Sequence, residues 1–201
     1  MSFIKRGFDI IFSLLGLLFL IPLFFLIAVL IKLDSSGSVF FRQERVGRDS
    51  KIFKIYKFRT MVDNAEKIGV NFTTPNTDSR ITKIGAILRK YNIDELPQLI
   101  NVLKGEMSLV GPRPEVLEMV KLYSEQQKKV LSVRPGMTDL ASLEFRKEGK
   151  IMSKSENLYE DYVKKIMPEK LKLNLKYMQE QSLWFDFRII IRTIYKIIFL
   201  K

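Results

Sequence analysis

The chain of 201 residues contains no cysteine and no histidine. Without thiols it can form no disulfide and carry no cysteine nucleophile. Without imidazole it has no histidine-based triad and lacks the usual ligands of a zinc site. The chemistry open to it is therefore that of carboxylates, lysines, arginines and hydroxyl groups. The lack of cysteine does not by itself identify the compartment in which the protein lies.

Acidic residues are also few, with 22 against 34 basic residues and a net charge of +12 at pH 7. A surplus of this size predicts an anionic partner, such as a nucleic acid, a lipid surface or a phosphorylated substrate. No internal repeat or low-complexity block is present, and the length suits a modest core.

The segment Ile10–Ile31 has no charged residue in 22 positions. A helix of that length would extend about 33 Å, close to the hydrocarbon thickness of a bilayer. No small-residue cleavage site follows it, which disfavours a cleaved signal peptide. Pro22 lies just past the middle of the run, where a proline predicts a kink or a break in the helix.

Basic residues flank this run on both sides, with Lys5 and Arg6 before it and a strongly basic chain after it. Because positive flanks favour the cytoplasm, a simple span would satisfy only one of them. We therefore expect a re-entrant helix-break-helix hairpin that turns at Pro22 and returns to the same face. Residues 1–35 would form this hairpin, and residues 36–201 a cytoplasmic, membrane-associated domain.

The C-terminal segment, residues 183–201, places Arg188, Arg192 and Lys196 at every fourth position among apolar and aromatic side chains. Such a basic stripe is typical of an amphipathic helix lying on anionic lipid. A buried core helix with a solvated edge is the alternative. Beside an N-terminal membrane segment, we favour the interfacial helix.

The middle of the chain mixes helix and strand patterns. We expect strands at Val39–Phe41 and Ile52–Phe58, because both are rich in β-branched and aromatic residues. Because strands and helices do not alternate regularly, the fold class predicted is a helix-rich α+β fold. The expected helices are Ile84–Lys90, Glu115–Val130, Glu156–Met167 and one continuing to about Gln181.

Two adjacent carboxylates, Asp94 and Glu95, open a segment with the apolar spacing of a helix that ends at Gly105. Asp94 is predicted to be its N-cap, with Pro97 in the first turn. Neighbouring side chains on a helix point about 100° apart, so the two carboxylates would have different roles. The alternative is that Asp94 only caps the helix and Glu95 only complements its dipole.

Arg113 lies between two prolines in the segment Gly111–Pro114. Because each proline restricts the backbone, the guanidinium leaves a stiff chain in a defined direction. Such an arginine suits bidentate contact with a phosphate. An ordinary turn would have the same local sequence.

Six segments in order resemble the motif series of the bacterial sugar transferases, the small monotopic phosphoglycosyl transferases. The resemblance extends from about Lys5 to the C-terminus, and six ordered motifs are far more specific than any one alone. The segments are Phe41–Gly47, Ile55–Met61, Asp94–Gln98, Asn101–Ser108, Val110–Pro114 and Val133–Thr138.

The resemblance implies an enzyme that transfers sugar-1-phosphate from a UDP-sugar to polyprenyl (undecaprenyl) phosphate and releases UMP. This reaction primes bacterial glycan assembly at the cytoplasmic face of the inner membrane. The partners implied are the UDP-sugar, the polyprenyl phosphate and anionic membrane lipids. No nucleic acid is expected, and an oligomer is permitted.

The resemblance also assigns roles to residues. Asp94 would be the nucleophile that forms an aspartyl phosphosugar intermediate, and Glu95 would hold Mg²⁺, which prefers one or two carboxylates plus phosphate and water. Four arginines within or just before the motifs would hold the phosphates. They are Arg59, Arg89, Arg113 and Arg134.

The chain departs from the family pattern at two places. Ile21 precedes Pro22 where many members have serine, which suggests a shallower break. The sequence after Thr138 begins with Asp139 where many members continue with Gly-Leu-Ala. Because that region is expected to face the sugar, no sugar specificity is carried over.

Two other classes of function compete with this interpretation. The bases and aromatics of Phe53–Arg59 would suit a membrane-tethered nucleic-acid-binding protein, although no recognised nucleic-acid motif is present. A non-catalytic membrane scaffold could share the fold, but the retained Asp94 and Glu95 argue against it.

Overall fold

The computed structural model describes residues 3–65, 78–145 and 158–199. It is helix-rich with two small sheets, which confirms the α+β class predicted. The elements in chain order are α1 (Phe3–Asp34), β1 (Phe40–Val46), β2 (Ile52–Phe58), α2 (Lys83–Lys90), α3 (Gln98–Lys104), β3 (Ser108–Val110), α4 (Leu117–Val120), α5 (Glu125–Lys128), β4 (Gly136–Thr138), α6 (Leu140–Glu144), α7 (Leu158–Asp161), α8 (Met167–Glu180) and α9 (Leu183–Phe199).

The N-terminal helix α1 is one helix of 32 residues that contains Pro22. Helical backbone continues on both sides of the proline, so Pro22 does not end the helix, and the re-entrant turn at this residue stays a prediction. A proline removes one backbone hydrogen bond, and here that loss does not end the helix. Of the helices described, α1 alone is long and apolar enough to cross a membrane. Many of its large apolar side chains are exposed, as at Phe19 and Phe25.

The strands β1 and β2 form an antiparallel hairpin whose register pairs Phe40 with Phe58 and Val46 with Ile52. The first strand is longer than predicted, and the second has the predicted bounds. The buried amide of Asn101 joins α3 to this hairpin. Its Oδ1 accepts from the backbone N–H of Tyr56 at 3.0 Å, and its Nδ2 donates to the Lys54 carbonyl at 2.8 Å.

The strands β3 and β4 form a parallel pair that the sequence analysis did not predict. Their backbones approach so closely that a Cβ on Gly136 would lie 2.1 Å from the backbone nitrogen of Gly111. A Cβ on Gly111 would lie 2.6 Å from the Arg134 carbonyl oxygen. Both positions therefore require glycine, and the segment after β3 is held tightly against β4.

The predicted helix Glu115–Val130 is wrong as a single element. The chain instead forms α4, then α5, and then a 3₁₀ turn at Lys129–Ser132. A capping box explains the interruption, because the Ser124 hydroxyl accepts from the Gln127 N–H while the Gln127 side chain accepts from the Ser124 N–H. That arrangement starts a new helix at Glu125.

The buried core lies mainly around α8. Leu171 on α8 belongs to a cluster with Met119, Val120 and Val130, and Tyr177 belongs to a second cluster with Val110, Leu140 and Ile189. A π-helical turn, Tyr162–Ile166, joins α7 to α8. Of the predicted helix Glu156–Met167, residues 156 and 157 lie outside the described residues.

The C-terminal helix α9 buries Asp186 and Ile189 and exposes Trp184, Phe187 and Ile191 among other apolar side chains. Two residues of the predicted basic stripe contact α6. Lys196 donates to the Leu143 carbonyl at 2.6 Å, and Arg192 lies 3.6 Å from the Glu144 carboxylate.

Candidate active site

Asp94 and Glu95 lie in a short 3₁₀ turn, Ile93–Glu95, between α2 and α3. The chain reverses at Asn92, whose φ of 54° is left-handed. The following α-helix begins only at Gln98, with Pro97 as its N-cap. The predicted N-cap role of Asp94 is therefore wrong, because the 3₁₀ turn separates this residue from α3.

The Glu95 carboxylate is held by two cations. Its Oε1 accepts from Lys57 Nζ at 2.7 Å and from Arg113 Nη2 at 2.6 Å, and its Oε2 lies 3.4 Å from Arg113 Nη1. Burial alone would raise the pKa of Glu95, but Arg113 and then Lys57 outweigh it and hold that pKa well below its usual range. Glu95 is thus a charged group in a defined orientation.

The Asp94 carboxylate lies in different surroundings. Its residue is only 8% exposed, and within the described part of the chain its side chain accepts no hydrogen bond. Burial raises the pKa of Asp94, while the charge of Lys57 opposes that rise. A buried carboxylate whose lone pairs are not occupied by donors, beside positive charge, has the character of a nucleophile.

Arg89, on α2, lies near Asp94 and lowers the pKa of that carboxyl, although less than burial raises it. Its Nε donates to the Thr60 hydroxyl at 2.8 Å. Among the described residues, its two terminal nitrogens donate no hydrogen bond. The outer edge of the guanidinium is therefore open to an anionic ligand.

Arg59 and Arg134, the other two predicted phosphate ligands, lie elsewhere. Arg59 is buried and donates to the carbonyls of Ser35, at 2.8 Å, and Ser36, just after α1. Arg134 Nε donates to the Gly105 carbonyl at 2.7 Å, at the C-terminal end of α3. The structure thus gathers Arg89 and Arg113 around the carboxylates and places Arg59 and Arg134 at helix ends.

Lys57 is a site residue that the sequence analysis did not single out. It belongs to the motif Ile55–Met61, in which Arg59 is the other basic residue. Its contact with Glu95 joins positions 38 residues apart, and it forms because Asn101 fixes α3 against β2. The motif was the signal available in the sequence, whereas the contact of Lys57 with Glu95 depends on how the hairpin packs on α3.

A small cleft lies beside Arg113 and is lined in part by Asp139, Ser142 and Asn174. Asp139 caps α6 by accepting from the Ser142 N–H at 2.8 Å and from the Ser142 hydroxyl. Burial raises the pKa of Asp139. Arg113 therefore borders both the carboxylate pair and this cleft.

A Mg²⁺ ion held by Glu95 stays a prediction. Among the described residues no group of three or more histidines, cysteines, aspartates and glutamates could hold a metal ion. Mg²⁺ needs only one or two carboxylates, since substrate phosphates and water complete its shell. Glu95 is the carboxylate predicted for this role, and in the structure its oxygens accept from Lys57 and Arg113.

Residues 1–200 match the profile of the family described as "Bacterial sugar transferase". The chain is 39% identical over 158 residues to the exopolysaccharide production protein ExoY of Sinorhizobium fredii, covering 72% of this chain and 70% of that protein.

Two longer proteins are also similar. The chain is 38% identical over 198 residues to the UDP-N-acetylgalactosamine-undecaprenyl-phosphate N-acetylgalactosaminephosphotransferase of Aeromonas hydrophila, covering 96% of this chain and 43% of that protein. It is 38% identical over 202 residues to the UDP-glucose:undecaprenyl-phosphate glucose-1-phosphate transferase of Escherichia coli, covering 96% and 40%. This chain thus spans less than half the length of these two relatives.

Proposed function

This chain belongs to the bacterial sugar transferase family, and from that premise we propose that it transfers a sugar-1-phosphate from a UDP-sugar to a polyprenyl phosphate. UMP is the second product. The two longer relatives are named for transfer to undecaprenyl phosphate, one from UDP-N-acetylgalactosamine and one from UDP-glucose. Since both are 38% identical to this chain, identity does not choose between these sugars.

The observation that carries the proposal is the contrast between Asp94 and Glu95. Asp94 is buried without a hydrogen bond from the described residues, whereas Glu95 is fixed by Lys57 and Arg113. Asp94 has the free lone pairs that attack requires, and the cations around it can neutralise a diphosphate.

In the first half-reaction, an Asp94 oxygen attacks the phosphorus next to the sugar. The bond from that phosphorus to the bridging oxygen breaks, and UMP leaves with the electron pair. Arg89 and Arg113 bind the phosphate oxygens, and phosphoryl transfer needs little more than such alignment and charge neutralisation. Glu95, with Asp94 beside it, would hold Mg²⁺, which supplies further positive charge to the diphosphate when bound.

In the second half-reaction, an oxygen of polyprenyl phosphate attacks the same phosphorus. The bond from phosphorus to the Asp94 oxygen breaks, which restores the carboxylate and forms the diphosphate link between lipid and sugar. The mixed anhydride of the intermediate divides one transfer into two steps.

The acceptor is a lipid, and the exposed apolar surfaces of α1 and α9 support a membrane location. We place residues 1–35 in the cytoplasmic membrane as a re-entrant segment and residues 36–201 on its cytoplasmic face, with α9 at the lipid surface. Single cysteines at Ser2 and Ser36, probed with an impermeant thiol reagent, test this topology. Equal accessibility supports the re-entrant form, and opposite accessibility rejects it.

The activity is tested by measuring UMP release from a panel of UDP-sugars, with and without undecaprenyl phosphate. The expected result is ping-pong kinetics, with UMP released without acceptor in an amount no greater than the enzyme. Donor labelled in the sugar should leave label on the peptide that contains Asp94, and the acceptor should remove it. A ternary-complex mechanism without labelled protein would reject the covalent step. A nucleic-acid-binding protein or a scaffold would release no UMP.

A further inference from the structure

A second buried polar cluster lies away from Asp94 and joins three helices. It consists of Lys5 on α1, Tyr177 on α8 and Asp186 on α9, which are 5%, 0% and 1% exposed. Lys5 Nζ forms an ion pair with Asp186 Oδ2, and the Tyr177 hydroxyl lies 2.6 Å from Asp186 Oδ1. We call these residues the anchor triad.

The anchor triad converges on one backbone atom, the carbonyl oxygen of Val110 at the end of β3. Lys5 Nζ donates to it at 3.1 Å, and the Tyr177 hydroxyl lies 3.2 Å from it. Because the Tyr177 hydroxyl has a single proton and Asp186 is nearer, Lys5 rather than Tyr177 donates to the Val110 carbonyl, which also accepts from the Ser108 hydroxyl at 3.0 Å. Tyr177 and Asp186 therefore act chiefly by holding the ammonium group in place.

The chain that follows Val110 is stiff up to Arg113. The Gly111 N–H donates to the Thr138 carbonyl at 3.1 Å, and the Gly136 N–H donates to the Pro112 carbonyl at 2.9 Å. Pro112 and Pro114 restrict the backbone further. Because the backbone between Val110 and Arg113 is held in this way, a displacement of the Val110 carbonyl should also displace Arg113.

We propose that Tyr177 and Asp186 are positioning residues for Arg113, acting through Lys5 and the Val110 carbonyl. In this arrangement, the docking of α9 sets the orientation of the guanidinium toward Glu95 and the donor phosphates. The activity part of this inference rests on the proposed function, whereas the structural part does not.

The test variant is Tyr177→Phe, which removes the hydroxyl and keeps the packing volume. We expect kcat to fall about tenfold, since small misplacement of a catalytic group has effects of this order or larger. In the Arg113→Lys background the same substitution should lower kcat less than about twofold, because the guanidinium that Tyr177 positions is already gone.

Thr193→Val is the matched control. Thr193 also anchors α9 to the sheet, but its hydroxyl lies 2.7 Å from the Thr138 hydroxyl on β4 and does not contact Val110. The kcat of Thr193→Val should remain within about twofold of the wild-type value. The single tryptophan, Trp184 on α9, reports by fluorescence whether α9 stays on vesicles of anionic lipid in all variants.

A readout independent of activity is hydrogen exchange at the Gly111 and Gly136 amides, measured on the full chain. Tyr177→Phe should accelerate this exchange and Thr193→Val should not. If Tyr177→Phe does not fold, Asp186→Asn, which keeps the volume but loses the charge that holds Lys5, takes its place.

The inference is overturned if the loss of kcat in the double variant equals the product of the losses in Tyr177→Phe and Arg113→Lys. So would unchanged exchange at Gly111, or an equal loss of kcat in Thr193→Val. If the wild-type protein releases no UMP from any UDP-sugar, the proposed function fails while the exchange measurement still decides whether the anchor triad holds the segment before Arg113.

Discussion

The surroundings of Asp94 and the anchor triad both bury an aspartate near a lysine, yet the two aspartates differ in how many donors they have. In the anchor triad each Asp186 oxygen has its own partner, Lys5 or Tyr177. Asp94 lies near Lys57, Arg89 and Arg113, but it accepts no hydrogen bond from the described residues. Burial is common to both, so it is the absence of donors that supports Asp94 as the proposed nucleophile.

The difference between the two aspartates also concerns the stability of the fold. A buried carboxylate without donors is destabilising, whereas a buried ion pair with all its partners becomes costly only when one partner is removed. Substitutions in the two regions should therefore have opposite consequences for stability.

Asp94→Asn should separate activity from stability most clearly. Loss of the nucleophile should lower UMP release by at least about 10³-fold. Because burial raises the pKa of Asp94, this group stabilises the fold below its unfolded pKa and loses that contribution as pH rises through the folded pKa. At pH 7 the asparagine variant should therefore be as stable as wild type or more stable, by on the order of 1 kcal/mol. Thermal unfolding in detergent checks this, and a destabilised variant would contradict it.

Asp186→Ala should have the opposite result. Removing the acid takes away the ion-pair partner of the buried Lys5 ammonium and leaves Asp9 as the nearby carboxylate, which should lower the free energy of unfolding by up to about 3–5 kcal/mol. Denaturant unfolding measures the loss. Asp186→Asn serves as the milder comparison, since it keeps a side-chain oxygen for Tyr177. A fully stable alanine variant would show that the triad does not stabilise the fold.

Arg113→Lys tests the two-pronged contact with Glu95. A lysine keeps the charge but cannot reproduce the planar pair of donors, so turnover should fall roughly 10²-fold. Its partner Glu95 stays paired with Lys57, so the melting temperature should change little. Comparison with Lys57→Arg, measured by UMP release, shows whether a planar group is needed at one cation or at both. A fully active Arg113→Lys would reject the bidentate role.

The smallest effect expected is on the acid side of the pH profile. Since Asp94 must be ionised to attack, and since burial raises its pKa, the acid limb of kcat/KM should lie above 3.8, the ordinary value for aspartate. Below that limb the rate should fall about tenfold per pH unit. The pH dependence of folding, followed by circular dichroism, distinguishes the titration of Asp94 from acid unfolding of the protein. An activity limb at or below 3.8 would contradict the environment described for Asp94.

Prediction from the sequence succeeded where the signal was local. The bounds of β2, the end of α2 at Lys90 and the end of α3 at Gly105 follow from residue type and spacing. The family and the carboxylate pair follow from ordered motifs.

Prediction failed where a local choice competed with a longer pattern. The capping box at Ser124 divides a continuous helical periodicity, and the left-handed Asn92 displaces Asp94 from the N-cap. The strands β3 and β4 are only three residues each, too short for an alternation to be visible. Contacts such as that of Lys57 with Glu95 depend on how helices and strands pack together, and a local sequence pattern does not predict that packing.

The ion pair between Lys5 and Asp186 joins residues 181 positions apart, which has a consequence for the making of the protein. At a synthesis rate of 5–20 residues per second, Lys5 leaves the peptidyl transferase centre roughly 10 to 35 s before its partner. For most of that interval the helix that carries Lys5 is complete, whereas α9 does not yet exist. The ion pair of Lys5 with Asp186 therefore closes among the last events of biosynthesis, after the N-terminal helix has formed.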